Sequence, residues 1–100
     1  MMLELRLPDG IVAKGGIPAS QAPEDLVADM LEVPLPDGTT IDVGWLPEHD
    51  PSGRYRVVVF RRYWQNQAVQ PTFFACPQDV VRAVEEIARR SVRHTQEPGR

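Results

Sequence analysis

Four consecutive apolar residues, Val57-Val58-Val59-Phe60, stand between Arg54-Tyr55-Arg56 on one side and Arg61-Arg62-Tyr63-Trp64 on the other. β-Branched side chains lose rotamer freedom against a helical turn and fit well on a pleated surface. Arg54 to Tyr63 is therefore expected as a strand. Being apolar at consecutive positions, it belongs inside a sheet, and its flanking arginines keep both ends wet. Its neighbours lie on either side in sequence. From Thr39 to Leu46, Ile41, Val43 and Trp45 alternate with Thr40, Asp42 and Gly44, the pattern of a half-buried strand. Between the two, Asp50-Pro51-Ser52-Gly53 places Asp at i, Pro at i+1 and Gly at i+3, as a type I turn requires, and a hairpin follows. Downstream, Gln65-Asn66-Gln67 can turn the chain and Val69 to Ala75 can return as a third strand, with Phe73 and Phe74 on opposite faces. Pro71 has no N–H to give a ladder, which confines this strand to an edge.

Such a meander needs a cover. From about Pro77 to Arg93, Val80, Val84, Ile87, Ala88 and Ser91 form one stripe, broadened by Val81 and Val92, and charged residues fill the other side. Glu85 with Arg89 and Glu86 with Arg90 have the favourable i, i+4 order. A shorter helix is expected from about Pro23 to Glu32. Pro23 suits the first helical position, Glu24 and Asp25 suit the first turn, and Leu26, Val27, Met30 and Leu31 share a face until Pro34 stops it. Residues 1–22 read as a marginal hairpin and a loop. Leu3, Leu5 and Leu7 alternate with polar residues, Pro8-Asp9-Gly10 turns, and Ile11-Val12-Ala13 returns. Leu-Pro-Asp-Gly recurs at Leu35 to Gly38, which is turn chemistry used twice. Thr95 to Arg100 reads as a disordered tail. The expected fold is α+β: a three- to five-stranded antiparallel sheet, with the meander over Thr39–Ala75, and both helices packed on one face. One hundred residues with 42% hydrophobic content make one core, so residues 1–94 are expected as a single domain.

No apolar stretch approaches the roughly 20 residues that span a bilayer, and Met1 to Arg6 lacks a basic start followed by an apolar run. A soluble, cytoplasmic protein without a membrane partner is expected. Cys76 is the only cysteine, which excludes an internal disulfide and a multi-cysteine zinc site. The net charge of −3 conceals a division: residues 1–50 carry two basic side chains against ten acids, residues 51–100 nine arginines against four acids. This can mean a basic surface for an anionic partner, or mutual attraction of the halves within the fold or a dimer; the second is favoured because distant segments of a small domain are neighbours in space.

Three groups could carry chemistry. Glu48-His49-Asp50 gathers potential ligands, but adjacent residues of an extended segment point apart, and a solvated loop with Asp50 capping the following turn is the favoured account. Cys76 precedes a helix N-terminus, which can lower a thiol pKa, yet free cysteine is also among the most buried residue types. Without phosphate loop, nucleophile elbow or paired histidines, no enzyme, metal or cofactor is expected; the residual catalytic alternative is Cys76 with His49. The strongest hint is the arginine–aromatic cluster. Alternation divides it, with Arg56, Phe60, Arg62 and Trp64 on one face and Tyr55, Arg61 and Tyr63 on the other.

The order helix, three strands, helix from Pro23 onward is similar to that of double-stranded RNA-binding domains. Their last helix opens lysine-rich, where this chain has Pro77-Gln78-Asp79-Val80-Val81-Arg82, so the similarity is one of order alone. The expected function is a non-catalytic interaction module of regulatory, adaptor or toxin-neutralising type. It would use Trp64, Tyr63, Arg61, Arg62 and Arg56 against an unknown protein partner, with homodimerisation a natural accompaniment. RNA or DNA binding through the same arginines is the alternative, and their pairing with Asp25, Asp29, Glu32 or Asp42 would remove its basis.

Overall fold

The turn at Asp50 closes as its composition requires. The Gly53 N–H donates to Asp50 O at 3.0 Å, and Asp50 Oδ1 accepts the N–H and hydroxyl of Ser52 at 2.9 and 2.8 Å. It joins the two long strands of a five-stranded sheet. The structure, a computed structural model, describes residues 1–61 and 70–96. Within them the strands are β1 (Lys14–Gly15), β2 (Leu31–Pro34), β3 (Thr39–Leu46), β4 (Arg54–Arg61) and β5 (Thr72–Phe74), followed by α1 (Pro77–Gln96). The sheet order is β1-β2-β3-β4-β5 with every pair antiparallel. β4 thus has a neighbour on each side, pairing with β3 from Thr39 opposite Arg61 to Leu46 opposite Arg54. β5 lies at the edge, as Pro71 demands, and opposes only Tyr55, Arg56 and Val57. Among the described residues no helix is long and apolar enough to cross a membrane.

The expected helix over Pro23–Glu32 is a correction. Only Pro23–Asp25 turns, as a 3-10 helix without a side-chain cap, and Leu31 and Glu32 belong to β2. A ten-residue helix is marginal in isolation, whereas Leu31, Val33 and Leu35 also alternate with period two. Pairing Leu31 with Val43 and Val33 with Ile41 buries them on the free edge of β3, and that burial prevails. The order from Pro23 is therefore a 3-10 turn, four strands and a helix, which no longer follows that of double-stranded RNA-binding domains. Both Leu-Pro-Asp-Gly turns form, with Gly10 and Gly38 at φ 87° and 89°, a region only glycine enters freely.

The N-terminal hairpin is also corrected. Leu3 N–H donates to Ile17 O and Ala19 N–H to Met1 O, at 2.8 and 2.9 Å, so the first strand-like segment pairs with residues 17–19 and not with 11–13. A lone hairpin has no face to bury. Here Leu3, Leu5, Leu7, Ile11 and Ala13 all pack against the main core instead, and Arg6 N–H donates to Glu85 Oε2 at 2.7 Å, tying the segment to α1.

Alternation decides which side of the sheet is covered. Val33, Ile41, Val43, Trp45, Tyr55 and Val57 point to one face and are buried there with Val80, Val84 and Ala88 of α1. Trp45 and Tyr55, directly paired across β3 and β4, meet edge to face with ring centroids 4.8 Å apart. The solvent side of α1 holds its arginines in local pairs: Arg82 with Asp79, and Arg89, Arg90 and Arg93 all around Glu86. Such exposed pairs add little stability. α1 reaches Gln96, so Thr95 and Gln96, expected in the tail, are helical in backbone; residues 97–100 lie outside the described part.

Candidate interaction surface

The residues that alternate with the core define the opposite, outer face. Across the strands it reads Pro34, Thr40 and Phe60 in one row and Lys14, Glu32, Asp42 and Val58 in the next. Gly44, Arg56 and Phe73, then Leu46 and Arg54, complete it. Among the described residues no helix or strand lies over this face as α1 lies over the other, but Thr40 and Gly44 on it are buried, Gly44 against the Ala28 carbonyl. Phe73 is 56% exposed and Leu46 38%, while Val58 and Phe60 are half-buried. The surface therefore mixes apolar residues, Leu46, Val58, Phe60 and Phe73, with acids on β2 and β3 and arginines on β4.

Gly44 shows how closely one part of it is built. Trp45 N–H donates to Val27 O and Met30 N–H to Val43 O, so the chain entering β2 bulges against β3. A Cβ on Gly44 would stand 1.7 Å from Ala28 O. Backbone occupies the place of a side chain there. The loop after β3 holds the bulge: Glu48 Oε2 accepts the Ala28 N–H at 3.0 Å, and His49 N–H donates to Leu26 O at 2.7 Å.

Charge on the outer face is divided. Asp29, Glu32 and Asp42 lie together on the β2–β3 side. Burial raises the Asp42 pKa above its ordinary value, Arg56 opposes the rise, and Asp29 and Glu32 add to it. Arg56 Nη2 lies 3.4 Å from Asp42 Oδ2. Arg61, on the same alternation as Tyr55, is exposed near the Leu35–Gly38 turn and helps hold Asp37 ionised. The division of the arginine–aromatic cluster between faces is observed where it is described: Tyr55 is fully buried, Arg56 and Phe60 face outward. Arg62, Tyr63 and Trp64 lie outside the described residues.

The other candidates are engaged in holding the fold. His49 Nδ1 is 2.9 Å from Pro23 O, which can only accept, so Nδ1 carries the proton. Glu48 and Asp50 are bound as described above, and among the described residues no group of three His, Cys, Asp or Glu could hold a metal ion. The Cys76 thiol donates to Gln78 Oε1 at 2.8 Å, and no hydrogen bond among the described residues joins it to His49. Tyr55 Oη, in the core near Gln21 and Cys76, makes no hydrogen bond of ordinary geometry. Burial raises its pKa, an interaction with the Gln21 side chain opposes this, and Cys76 adds to it.

The outward residues Val58 and Leu46 were not singled out from sequence, whereas alternation places Phe60 on the face of Arg56 and sets Phe73 opposite Phe74. The period of two was visible in β4, but a run apolar on both faces reads as buried on both. Comparison with known protein families, curated proteins and solved structures finds no match.

Proposed function

We propose that the chain is a small non-catalytic protein–protein interaction module that presents the outer face of its sheet. The observation that carries this is the exposure of Phe73 and Leu46, with half-buried Val58, Phe60 and Arg56, on a face that no described helix or strand covers as α1 covers the other. Aromatic side chains and arginine concentrate binding energy at interfaces because they bring large area and directed polar contacts at low conformational cost. Arg61, Arg62, Tyr63 and Trp64 extend the proposed site on sequence grounds. The Arg56–Asp42 pair, among further acids, favours a protein over a polyanion: a phosphate would have to displace Asp42 and approach Glu32 and Asp29.

The test compares proteins recovered from cell extract by the wild type, by Phe73→Glu, Arg56→Glu and Trp64→Ala, and by the helix-side control Arg82→Ala. A partner lost at least tenfold with the first three variants and kept by the control supports the reading. Retention by all variants refutes the site. Recovery of RNA that is lost steeply with salt would replace the reading with nucleic-acid binding.

A further inference from the structure

We propose that the cleft between the C-terminal half of α1 and the β2–β3 turn binds a free α-amino acid with an apolar side chain. The cleft lies on the helix side of the sheet, so it stands or falls independently of the outer face.

Its volume is about 320 Å³, walled by Leu35, Val59 and Ile87, with Asp37, Thr39, Arg90 and Ser91 set among them. Ligand pockets of roughly 300–1,000 Å³ have this make-up, apolar walls with a few convergent polar groups, and the volume here suits a small ligand. Ser91 carries the inference. It is 5% exposed and its Oγ has no hydrogen-bond partner, although a serine inside a helix can turn back to the carbonyl four residues earlier. A buried hydroxyl without a partner is costly, and it points to a group that arrives from outside. Beside it, Asp37 accepts the Thr39 N–H and hydroxyl at 3.0 and 2.5 Å, both on Oδ1, which leaves Oδ2 for an incoming donor. Burial works to raise the Asp37 pKa, but the Thr39 bonds, with Ser91 and Arg61, bring it below its ordinary value, so the group is a carboxylate.

Charge selects the ligand. A Cβ on Gly38 would stand 4.0 Å from Arg61 Nη1, which places that guanidinium over the turn. Arg90 meets Glu86 through Nε at 3.2 Å, and Glu86 is shared with Arg89 and Arg93, so positive charge is in excess at the rim. A simple amine would meet these arginines, and a simple carboxylate would meet Asp37. A molecule bearing both charges a few atoms apart satisfies each: its ammonium bonds Asp37 Oδ2 and Ser91 Oγ, and its carboxylate takes Arg90. Ser91 meets the ammonium by turning about its Cα–Cβ bond. The apolar side chain then lies against Leu35, Val59 and Ile87.

Amide NMR spectra of the isotopically labelled full chain, titrated with leucine to about 10 mM, test this. The expected result is saturable shifts concentrated at Thr39, Val59 and Ser91. Isoamylamine and isocaproate keep the apolar body of leucine and lack its carboxylate and its ammonium respectively; each binds at least tenfold more weakly. Asp37→Asn weakens leucine at least tenfold and leaves isocaproate unaffected, whereas Arg90→Gln weakens both and leaves isoamylamine unaffected. Ser91→Ala weakens leucine while the thermal unfolding midpoint stays the same or rises, because an unpaired hydroxyl has been removed. Scattered or absent shifts with leucine, methionine and phenylalanine overturn the proposal. Either analogue binding as tightly as leucine also overturns it, as does unaltered leucine binding by Asp37→Asn and Ser91→Ala.

Discussion

Arg56 on β4 reaches diagonally across the sheet to Asp42 on β3, Nη2 to Oδ2 at 3.4 Å, past its direct cross-strand partner Gly44. The bond links the acid-rich first half of the chain to the arginine-rich second half, and it lies on the face opposite α1. Arg61 beside Asp37 is a second contact between the halves. The helix arginines, by contrast, are matched within α1, so the charge division is settled partly across the sheet and partly along the helix.

Asp42 is nevertheless in an unfavourable place for a charge, because burial and two acidic neighbours outweigh Arg56 and raise its pKa above 3.8. A raised folded pKa means that the folded chain binds this proton more tightly than the unfolded chain. The resulting stabilisation is complete below 3.8 and is lost as pH rises through the folded value. Asp42→Asn is therefore expected to change stability at pH 7 by no more than about 0.5 kcal/mol, or to increase it, measured by urea unfolding.

Asp37 has the opposite sign. Burial alone would raise its pKa, but bonds from the Thr39 side chain and N–H, with Ser91 and Arg61 nearby, leave it below 3.8. Its contribution is present above 3.8 and disappears as pH falls through the lower folded value. Asp37→Asn keeps an acceptor and loses the charge, and is expected to cost about 1 kcal/mol at pH 7. The difference from wild type should close in urea titrations carried down through pH 3.

Gly44→Ala is expected to destabilise by at least about 2 kcal/mol, because the new methyl cannot coexist with Ala28 O at 1.7 Å and the bulge must move. Hydrogen exchange should then accelerate at Met30 and Trp45, whose N–H groups are bonded across this contact.

Val84 is fully buried between α1 and the sheet. Val84→Ala should cost about 2 kcal/mol through lost burial and the cavity left behind, and thermal unfolding should shift accordingly. Val84→Asp should abolish the cooperative transition.

The sheet was legible in particular residues. Ile41, Val43 and Trp45 announced a face, Asp50-Pro51-Ser52-Gly53 announced a hairpin, and Pro71 put β5 at the edge. The stripe Val80, Val84, Ala88 announced the docked helix. What misled was Leu26 to Leu31, where an apolar pattern fits one helical face and an entry into a strand equally well; the free edge of β3 decided it, and nothing local could. The bulge at Ala28 was hidden for the same reason, since Gly44 in a strand signals close approach without saying of what. Of the candidate binding residues, Arg56 was named from sequence, but its bond to Asp42 required the register of β3 against β4. Val58 was hidden by its own neighbours, Val57 and Val59, which fill the inward positions, whereas Phe60 shares the face of Arg56 by alternation alone.

The account depends on β4 showing alternate residues to opposite sides, one under α1 and one at an open surface. With Cys76 replaced by serine, single cysteines at Val57 and Val58 report this through their rates of reaction with a thiol reagent at low micromolar protein concentration. The expected result is rapid reaction at position 58 and reaction at position 57 only through unfolding, at least a hundredfold slower. Equal protection of both positions, or a faster rate at position 57, would contradict the outer face as a binding surface.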